Sequence, residues 1–218
     1  MKVEILDSRL KHIIQSAEHV FFEKGFSKTT VSDICKVANC SRTTLYQHFD
    51  SKENIYLAVV NHSFKHFHRY FTNLNIKENN GLETMVSYAK GYINYSKQSP
   101  KRFLMLHDFY TILKNVNNKN FQSNTDKKLS QCRFFEQVKQ SAEIPPVFLS
   151  ELIQLGQQDG SINPNISASV LFLNYWAYLI GSANLFYYSN THQPIHILGI
   201  DMEDVEQNTF DFIRKILS

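Results

Sequence analysis

A run of hydrogen-bonding side chains between residues 42 and 48 offers the clearest chemistry in this sequence. The run consists of basic, hydroxyl, amide and aromatic residues: Arg42, Thr43, Thr44, Tyr46, Gln47 and His48. No acidic residue follows until Asp50. Arg can form a bidentate contact with guanine and Gln with adenine, and the Thr methyl packs on thymine. Hydroxyl and imidazole groups can hold phosphates. The run is therefore typical of a surface that contacts nucleic acid.

The elements around this run predict a helix-turn-helix. Apolar residues recur at helical spacing over about 8–24, and Gly25 then gives a left-handed stop. Thr29 or Thr30 can cap a short second helix, and Ser41 can cap a third. Two short helices joined by a tight turn, the second with a polar outward face, are what this DNA-binding motif needs.

Three further residues fit the same motif. Asn39 lies in the link between the second and third helices, where it can take the left-handed conformation that the turn demands. Thr30 and Lys52 stand at the starts of the second and fourth helices. There, side-chain donors join free backbone N–H groups in a geometry suited to phosphate.

Residues 9–60 resemble the N-terminal DNA-binding domain of the TetR/AcrR family of bacterial transcriptional regulators. The resemblance is carried by T-T-V-x-x-I, then S-x-x-T-L-Y-x-H-F, then S-K-E, within GFSKTTVSDICKVANCSRTTLYQHFDSKENIYLAVV. It covers about a quarter of the chain. It implies a homodimeric regulator, usually a repressor, that releases double-stranded operator DNA when an unknown small molecule binds its helical C-terminal domain.

Residue roles follow from the resemblance. Base contacts are implied for Arg42, Thr43 and Thr44, and phosphate contacts for Tyr46, His48 and Lys52, with Thr30 assisting. Ser41 and Gln47 complete the predicted DNA-contacting set. Two positions depart from the family pattern, because Asn39 stands where glycine is common and Cys40 where an aliphatic residue is common.

The rest of the chain also predicts helices, so the expected fold class is all-α. A fourth helix begins at Asp50 or Ser51 and ends near Asn73. The others are expected at about 82–98, 100–114, 126–141, from Pro145-Pro146 to the Gly160 turn, 165–189 and 201–217, with a loop over 115–126. We expect a helix-turn-helix domain over 1–50, with the linking helix reaching about 73, and an effector-binding and dimerisation domain over 51–218.

Aromatic and polar residues mix on the helices around 88–110 and 170–188, which favours a small-molecule cavity. The candidate ligand contacts are His62, Tyr88, Tyr92, Phe103, His107, Tyr110 and Trp176. Core packing explains most of them equally well. His62, His66 and His68 have a spacing that invites a metal hypothesis. No Cys, Asp or Glu lies near them in sequence, so we predict no metal and no cofactor.

An uncharged stretch between Asp159 and Asp201 has two interpretations. Residues 166–188 are long enough to cross a membrane, but serines and asparagines interrupt them and no cluster of Lys/Arg flanks them. A homodimer interface through about 165–189 and 201–217 explains the stretch better. A helical protein-interaction module and a membrane-associated regulator without an effector remain the alternatives.

Composition restricts the other classes. The sequence has no GxSxG, HExxH or phosphate-binding loop and only seven glycines, so we do not expect an enzyme. The basic surplus is N-terminal, because residues 1–70 hold ten Lys/Arg against seven Asp/Glu. Three cysteines without CxxC spacing, and a start that lacks an apolar signal sequence, predict a cytoplasmic protein. Whether Cys35 or Cys40 senses redox state stays open, since both can simply pack in the small core.

Overall fold

A computed structural model describes residues 8–118, 123–187 and 197–218 of the chain. The helices are α1 (Ser8–Lys28), α2 (Val31–Val37), α3 (Arg42–Tyr46), α4 (Lys52–Leu74), α5 (Gly81–Gln98), α6 (Pro100–Asn117), α7 (Asn124–Ser130), α8 (Phe135–Gln158), α9 (Ala168–Tyr187) and α10 (Met202–Leu217). The described ranges contain no strand, which confirms the all-α prediction. Predictions for residues 1–7, 119–122 and 188–189 fall outside this description.

The chain forms two compact units. The first combines residues up to His66 with Leu104–Ala142, and the second combines Phe67–Phe103 with Glu143–Ser218. Helices α4, α6 and α8 each contribute residues to both units. The expected functional division into residues 1–50 and 51–218 stays a prediction.

The first unit is built around the predicted three-helix motif. Helix α1 packs against α2, and α2 packs against α3. Gly25 has φ +73°, so the regular part of α1 ends where the sequence predicted. Ile34, Leu45 and Phe49 are fully buried in this core. These apolar side chains all point inward, and the polar residues of the motif are therefore left on its surface.

The second unit is organised by close contact between α5 and its neighbours. The backbone N–H groups of Gly81 and Leu82 donate to Asp159 Oδ2 at 2.7 Å and to Ser161 Oγ at 3.0 Å. A Cβ atom at Gly81 would lie 2.3 Å from the Cα of Gly156, so the backbones meet where only glycine fits. These contacts fix the start of α5 within the unit.

A bidentate ion pair ties α10 to α5. Arg214 Nε and Nη2 donate to the two carboxylate oxygens of Glu83 at 2.9 and 3.0 Å. The Arg214 hydrogen bonds lower the pKa of Glu83, so the carboxylate stays charged. The tyrosine Tyr175 on α9 is fully buried, and its hydroxyl donates to Met85 O at 3.1 Å. Helices α5, α9 and α10 are thereby joined by polar as well as apolar contacts.

The predicted break at Pro145-Pro146 is wrong, because α8 continues through both prolines. Pro146 has no N–H group for the carbonyl of Ala142, which is its acceptor in a regular helix. The Tyr110 hydroxyl donates to this carbonyl at 2.9 Å instead. A side chain from α6 therefore satisfies the acceptor that the proline leaves open, and the helix is kept.

The predicted single helix over about 126–141 is also wrong. Helix α7 ends at Ser130, and α8 begins at Phe135. Both Leu129 and Phe135 are buried, although a separation of six residues on one helix would point them about 120° apart. The turn between the two helices allows both side chains to enter the core.

Candidate nucleic-acid interface and ligand cavity

Helix α2 begins in a complete capping box at Thr30. The Thr30 hydroxyl accepts from Asp33 N at 3.2 Å, and the Asp33 carboxylate accepts from Thr30 N at 2.9 Å. Lys24 Nζ lies 2.6 Å from the same carboxylate. The hydrogen bonds from Lys24 and Thr30 hold the pKa of Asp33 well below its usual range. Thr30 is exposed, and its position is fixed by α2 itself.

The turn after α2 reverses the chain within a few residues. Asn39 takes φ +47°, and the N–H of Cys40 donates back to Cys35 O at 3.1 Å. This is the hydrogen bond of a Schellman helix end. Ser41 then caps α3, because its Oγ accepts from Thr44 N at 3.0 Å. The left-handed turn and the cap were both predicted from the sequence, and both are confirmed.

Helix α3 presents most of the predicted DNA-contacting side chains on its outer face. Ser41, Arg42, Thr43, Tyr46 and Gln47 are exposed, and Thr44 and His48 are half-buried. The inner side chain Leu45 is fully buried. The structure thus brings the predicted residues of α3 to one surface, while their individual contacts with DNA remain predictions.

Two residues that the sequence analysis missed hold this surface in place. Ser32, on α2, accepts a hydrogen bond from the Arg42 guanidinium. Arg133, in the turn between α7 and α8, donates to the carbonyl of His48, two residues past the end of α3. The contact of Ser32 could have been predicted, because Ser32 is a polar residue on the neighbouring helix α2. The contact of Arg133 could not, because 85 residues separate it from His48 in the sequence.

Lys52 has an intramolecular role that the sequence did not indicate. Its Nζ donates to Phe26 O at 2.9 Å and to Thr29 O at 3.1 Å. It also lies 4.4 Å from the centre of the Phe26 ring. The start of α4 is therefore tied to the segment that joins α1 to α2. An ammonium group has three donors, so the predicted phosphate contact is compatible with these two hydrogen bonds.

The second unit contains a cavity of about 230 Å³. It is lined by Phe67, His68, Phe71, Thr72, Tyr88, Tyr92, Ile144, Pro145, Phe148, Leu149, Tyr175, Trp176 and Leu179. This lining holds no Asp, Glu, Lys or Arg. Burial raises the pKa of the Tyr88 hydroxyl, so that group stays neutral. The lining is mainly aromatic and aliphatic, and His68 contributes an imidazole ring.

Three of the seven predicted ligand residues line this cavity. They are Tyr88, Tyr92 and Trp176, and the last two have ring centres 5.5 Å apart. Phe103 is buried behind Tyr92, at 5.3 Å between ring centres.

The remaining three candidates, His62, His107 and Tyr110, belong to the first unit. His62 Nδ1 lies 3.3 Å from Glu18 Oε1. Burial lowers the pKa of His107 to about 4. The Tyr110 hydroxyl donates to the carbonyl of Ala142 on α8. The structure does not bring these side chains into the cavity.

The metal and membrane hypotheses gain no support in the described part of the chain. There, no group of three or more His, Cys, Asp or Glu residues is arranged to hold a metal ion. No helix within the described ranges is both long enough and apolar enough to span a bilayer.

Known proteins are similar to this chain both in the sequence of the helix-turn-helix region and in the whole fold. Residues 13–59 match the family model described as bacterial regulatory proteins, tetR family. This match shows that residues 13–59 are similar to the DNA-binding domain of that family, and it covers less than a quarter of the chain. The same region is similar to part of IcaR of Staphylococcus epidermidis, the negative transcriptional regulator of the biofilm operon icaADBC. The two are 44% identical over 55 residues, which is 25% of this chain and only 30% of the length of IcaR.

Two solved structures share the fold over nearly the full length. FadR of Bacillus subtilis, in complex with stearoyl-CoA, has a TM-score of 0.63 at 14% identity, covering 95% of this chain and 99% of that one. AibR, in complex with isovaleryl coenzyme A and operator DNA, has a TM-score of 0.61 at 14% identity, covering 96% and 98%. At such identities the likeness shows the fold alone.

The contacts of Lys52 lead to a stability prediction. Lys52→Ala should lower the free energy of unfolding by about 1–3 kcal/mol, because two backbone carbonyls lose a charged donor. Lys36→Ala, which removes an exposed lysine on α2, is the matched control and should change it by less than about 0.5 kcal/mol. Urea unfolding followed by circular dichroism measures both. Equal losses of unfolding free energy in the two variants would contradict a stabilising role for the hydrogen bonds of Lys52.

Proposed function

We propose that this protein is a ligand-responsive transcriptional regulator that binds operator DNA as a homodimer and acts as a repressor. The exposed face of α3, held at both ends by contacts within the first unit, is the observation that carries this proposal. Its side chains can pair with base edges, and the half-buried Thr44 and His48 lie beside them. IcaR, which matches in this region, is named as a negative transcriptional regulator. We place this proposed regulator in the cytoplasm.

The homodimer part of the proposal is supported by exposed apolar side chains on α9 and α10. Val170, Leu173 and Leu185 on α9 and Phe212 on α10 are between 44% and 61% exposed. A symmetric contact through about 165–189 and 201–217 would remove these side chains from water. A homodimer also supplies two copies of α3, and a dimer of helix-turn-helix units binds half-sites about 34–36 Å apart.

The effector we propose is a small, uncharged, hydrophobic molecule that contains a ring. The aromatic faces of Tyr92 and Trp176 suit stacking on a flat group. The described lining residues include no Asp, Glu, Lys or Arg, so a buried anionic group would meet no permanently charged partner among them. A volume of about 230 Å³ is small for a ligand site. The acyl-CoA ligands of FadR and AibR support a ligand site in this kind of fold, but their phosphates would not fit this lining.

Helix α4 offers a route for coupling ligand to DNA. Its later residues Phe67, His68 and Phe71 line the cavity, and its first residue, Lys52, holds the carbonyls of Phe26 and Thr29. A ligand that favours one position of α4 therefore biases the helix-turn-helix as well. Couplings of this kind are ordinarily about 1–3 kcal/mol, or about 5–150-fold in affinity.

Arg42 tests the DNA-binding part of the proposal. Arg42→Ala should weaken binding to a preferred duplex by about 1–3 kcal/mol and reduce the preference over scrambled DNA, because a base contact is lost. Arg69→Ala, an exposed arginine on α4 in the second unit, is the control and should change affinity by less than about threefold. Fluorescence anisotropy on a duplex selected from random DNA by the wild-type protein measures both at two salt concentrations.

Two results would redirect the proposal. Equal losses for Arg42→Ala and Arg69→Ala would show that α3 does not read bases. If the wild-type protein shows no salt-dependent affinity for any DNA, the helical protein-interaction module is favoured instead. The phosphate role of Lys52 is read from the same assay, since Lys52→Ala should weaken all sequences alike and lower the salt slope by about one.

Trp176 gives a direct test of the ligand proposal, because it is the only tryptophan in the sequence and it lines the cavity. Naphthalene should change the fluorescence of Trp176 and lower the affinity for operator DNA by about 5–150-fold. Its carboxylate analogue, 2-naphthoate, should do so at least tenfold less well, since the added charge meets no Lys or Arg in the described lining. Binding of 2-naphthoate as tight as that of naphthalene would contradict the uncharged class of effector.

A further inference from the structure

Two cysteines flank the turn of the helix-turn-helix. Cys35 lies near the end of α2, and Cys40 lies just past the left-handed residue Asn39. The N–H of Cys40 donates to Cys35 O at 3.1 Å. In a Schellman helix end, the two residues joined by this hydrogen bond also bring their side chains into contact. The cysteines occupy those two positions of the helix end.

The backbone separation suits a covalent bond between the two sulfur atoms. With a 3.1 Å hydrogen bond, covalent geometry limits the Cα atoms of Cys35 and Cys40 to about 7 Å at most. Disulfides form when the Cα atoms are about 4.4–6.8 Å apart. Both thiols are free in the structure. A short movement of the turn is therefore enough to join them.

The two thiols differ in their access to solvent. Cys35 is only 8% exposed, whereas Cys40 is half-buried. Burial raises the pKa of the Cys35 thiol, the neighbouring Cys40 adds to this effect, and the charge of Arg42 opposes it. A small oxidant from solvent thus meets Cys40 first, and Cys35 lies behind it in its protonated form.

We propose that Cys35 and Cys40 form a reversible redox site that a peroxide converts to a disulfide, and that the disulfide weakens operator binding. The Cys40 sulfur attacks one peroxide oxygen, an S–O bond forms, the O–O bond breaks, and the leaving oxygen departs as water after taking a proton. The Cys35 sulfur then attacks the Cys40 sulfur, so that the S–S bond forms, the S–O bond breaks and a second water leaves. The thiols lose two electrons, and a dithiol reductant restores them.

The effect on DNA follows from the place of Cys40 in the chain. Cys40 precedes Ser41, the cap of α3, and stands two residues before Arg42. A disulfide has an S–S distance of about 2.05 Å, much shorter than the contact of two thiols. Closing it pulls the start of α3 toward α2 and displaces the side chains that face outward there. This part of the inference rests on the proposed DNA-binding function.

Mass spectrometry tests the covalent step in the full-length protein. Trypsin cleaves after Lys28, Lys36 and Arg42, so it separates residues 29–36 from residues 37–42 and leaves one cysteine in each peptide. After treatment with hydrogen peroxide and alkylation of free thiols, these two peptides should be recovered joined, and a dithiol should separate them. The variant C132S, which lacks the third cysteine, should give the same result. Disulfides through Cys132, or sulfinic acid on Cys40 without the joined peptides, would overturn the inference.

Anisotropy on the selected duplex tests the regulatory step. In a C132S background, peroxide should raise the dissociation constant at least tenfold, and the dithiol should reverse the change. The ratio between oxidised and reduced protein should fall to near one in C35S and in C40S. Joined peptides with unchanged DNA affinity would overturn the regulatory role. If the reduced protein binds no DNA, the proposed function fails, while the mass measurement still decides whether the disulfide forms.

Discussion

The left-handed backbone at Asn39 is the constraint on which the DNA-facing surface depends. It returns the chain so that Cys40 can donate to α2, and it places Ser41 where it caps α3. Since Leu45 must then point into the core, Arg42 and the other polar residues of α3 face outward. Asn tolerates this conformation at small cost, so a glycine is not required at the turn.

This local origin explains why the helix-turn-helix was predictable from the sequence. The caps at Thr30 and Ser41 and the turn at Asn39 each depend on residues only a few positions apart, and each residue type favours its own geometry. The hydrogen bonds that Lys52 and Arg133 donate to backbone carbonyls are different, because they join residues that are 23 to 85 positions apart. A charged side chain in the sequence gives no sign of which distant carbonyl it will meet.

The errors in the prediction have the same cause. A proline pair normally ends a helix, but the carbonyl of Ala142 finds the hydroxyl of Tyr110, 32 residues away. The prediction of ligand-contacting residues was limited in a similar way. The aromatic periodicity identified Trp176, which lines the cavity, but it could not show which helix this side chain faces. His107 fits the same sequence pattern, yet it lies in the other compact unit. Helical periodicity predicts that a side chain is buried, whereas tertiary packing decides whether it lines a cavity.

The central claim is that two copies of α3, held at the spacing of a homodimer, read successive turns of DNA. Hydroxyl-radical footprinting of the full-length protein on its selected duplex tests this claim most directly. We expect two protected tracts related by two-fold symmetry, with centres about 34–36 Å, or one helical turn, apart. A single protected tract, or uniform protection along the duplex, would contradict it.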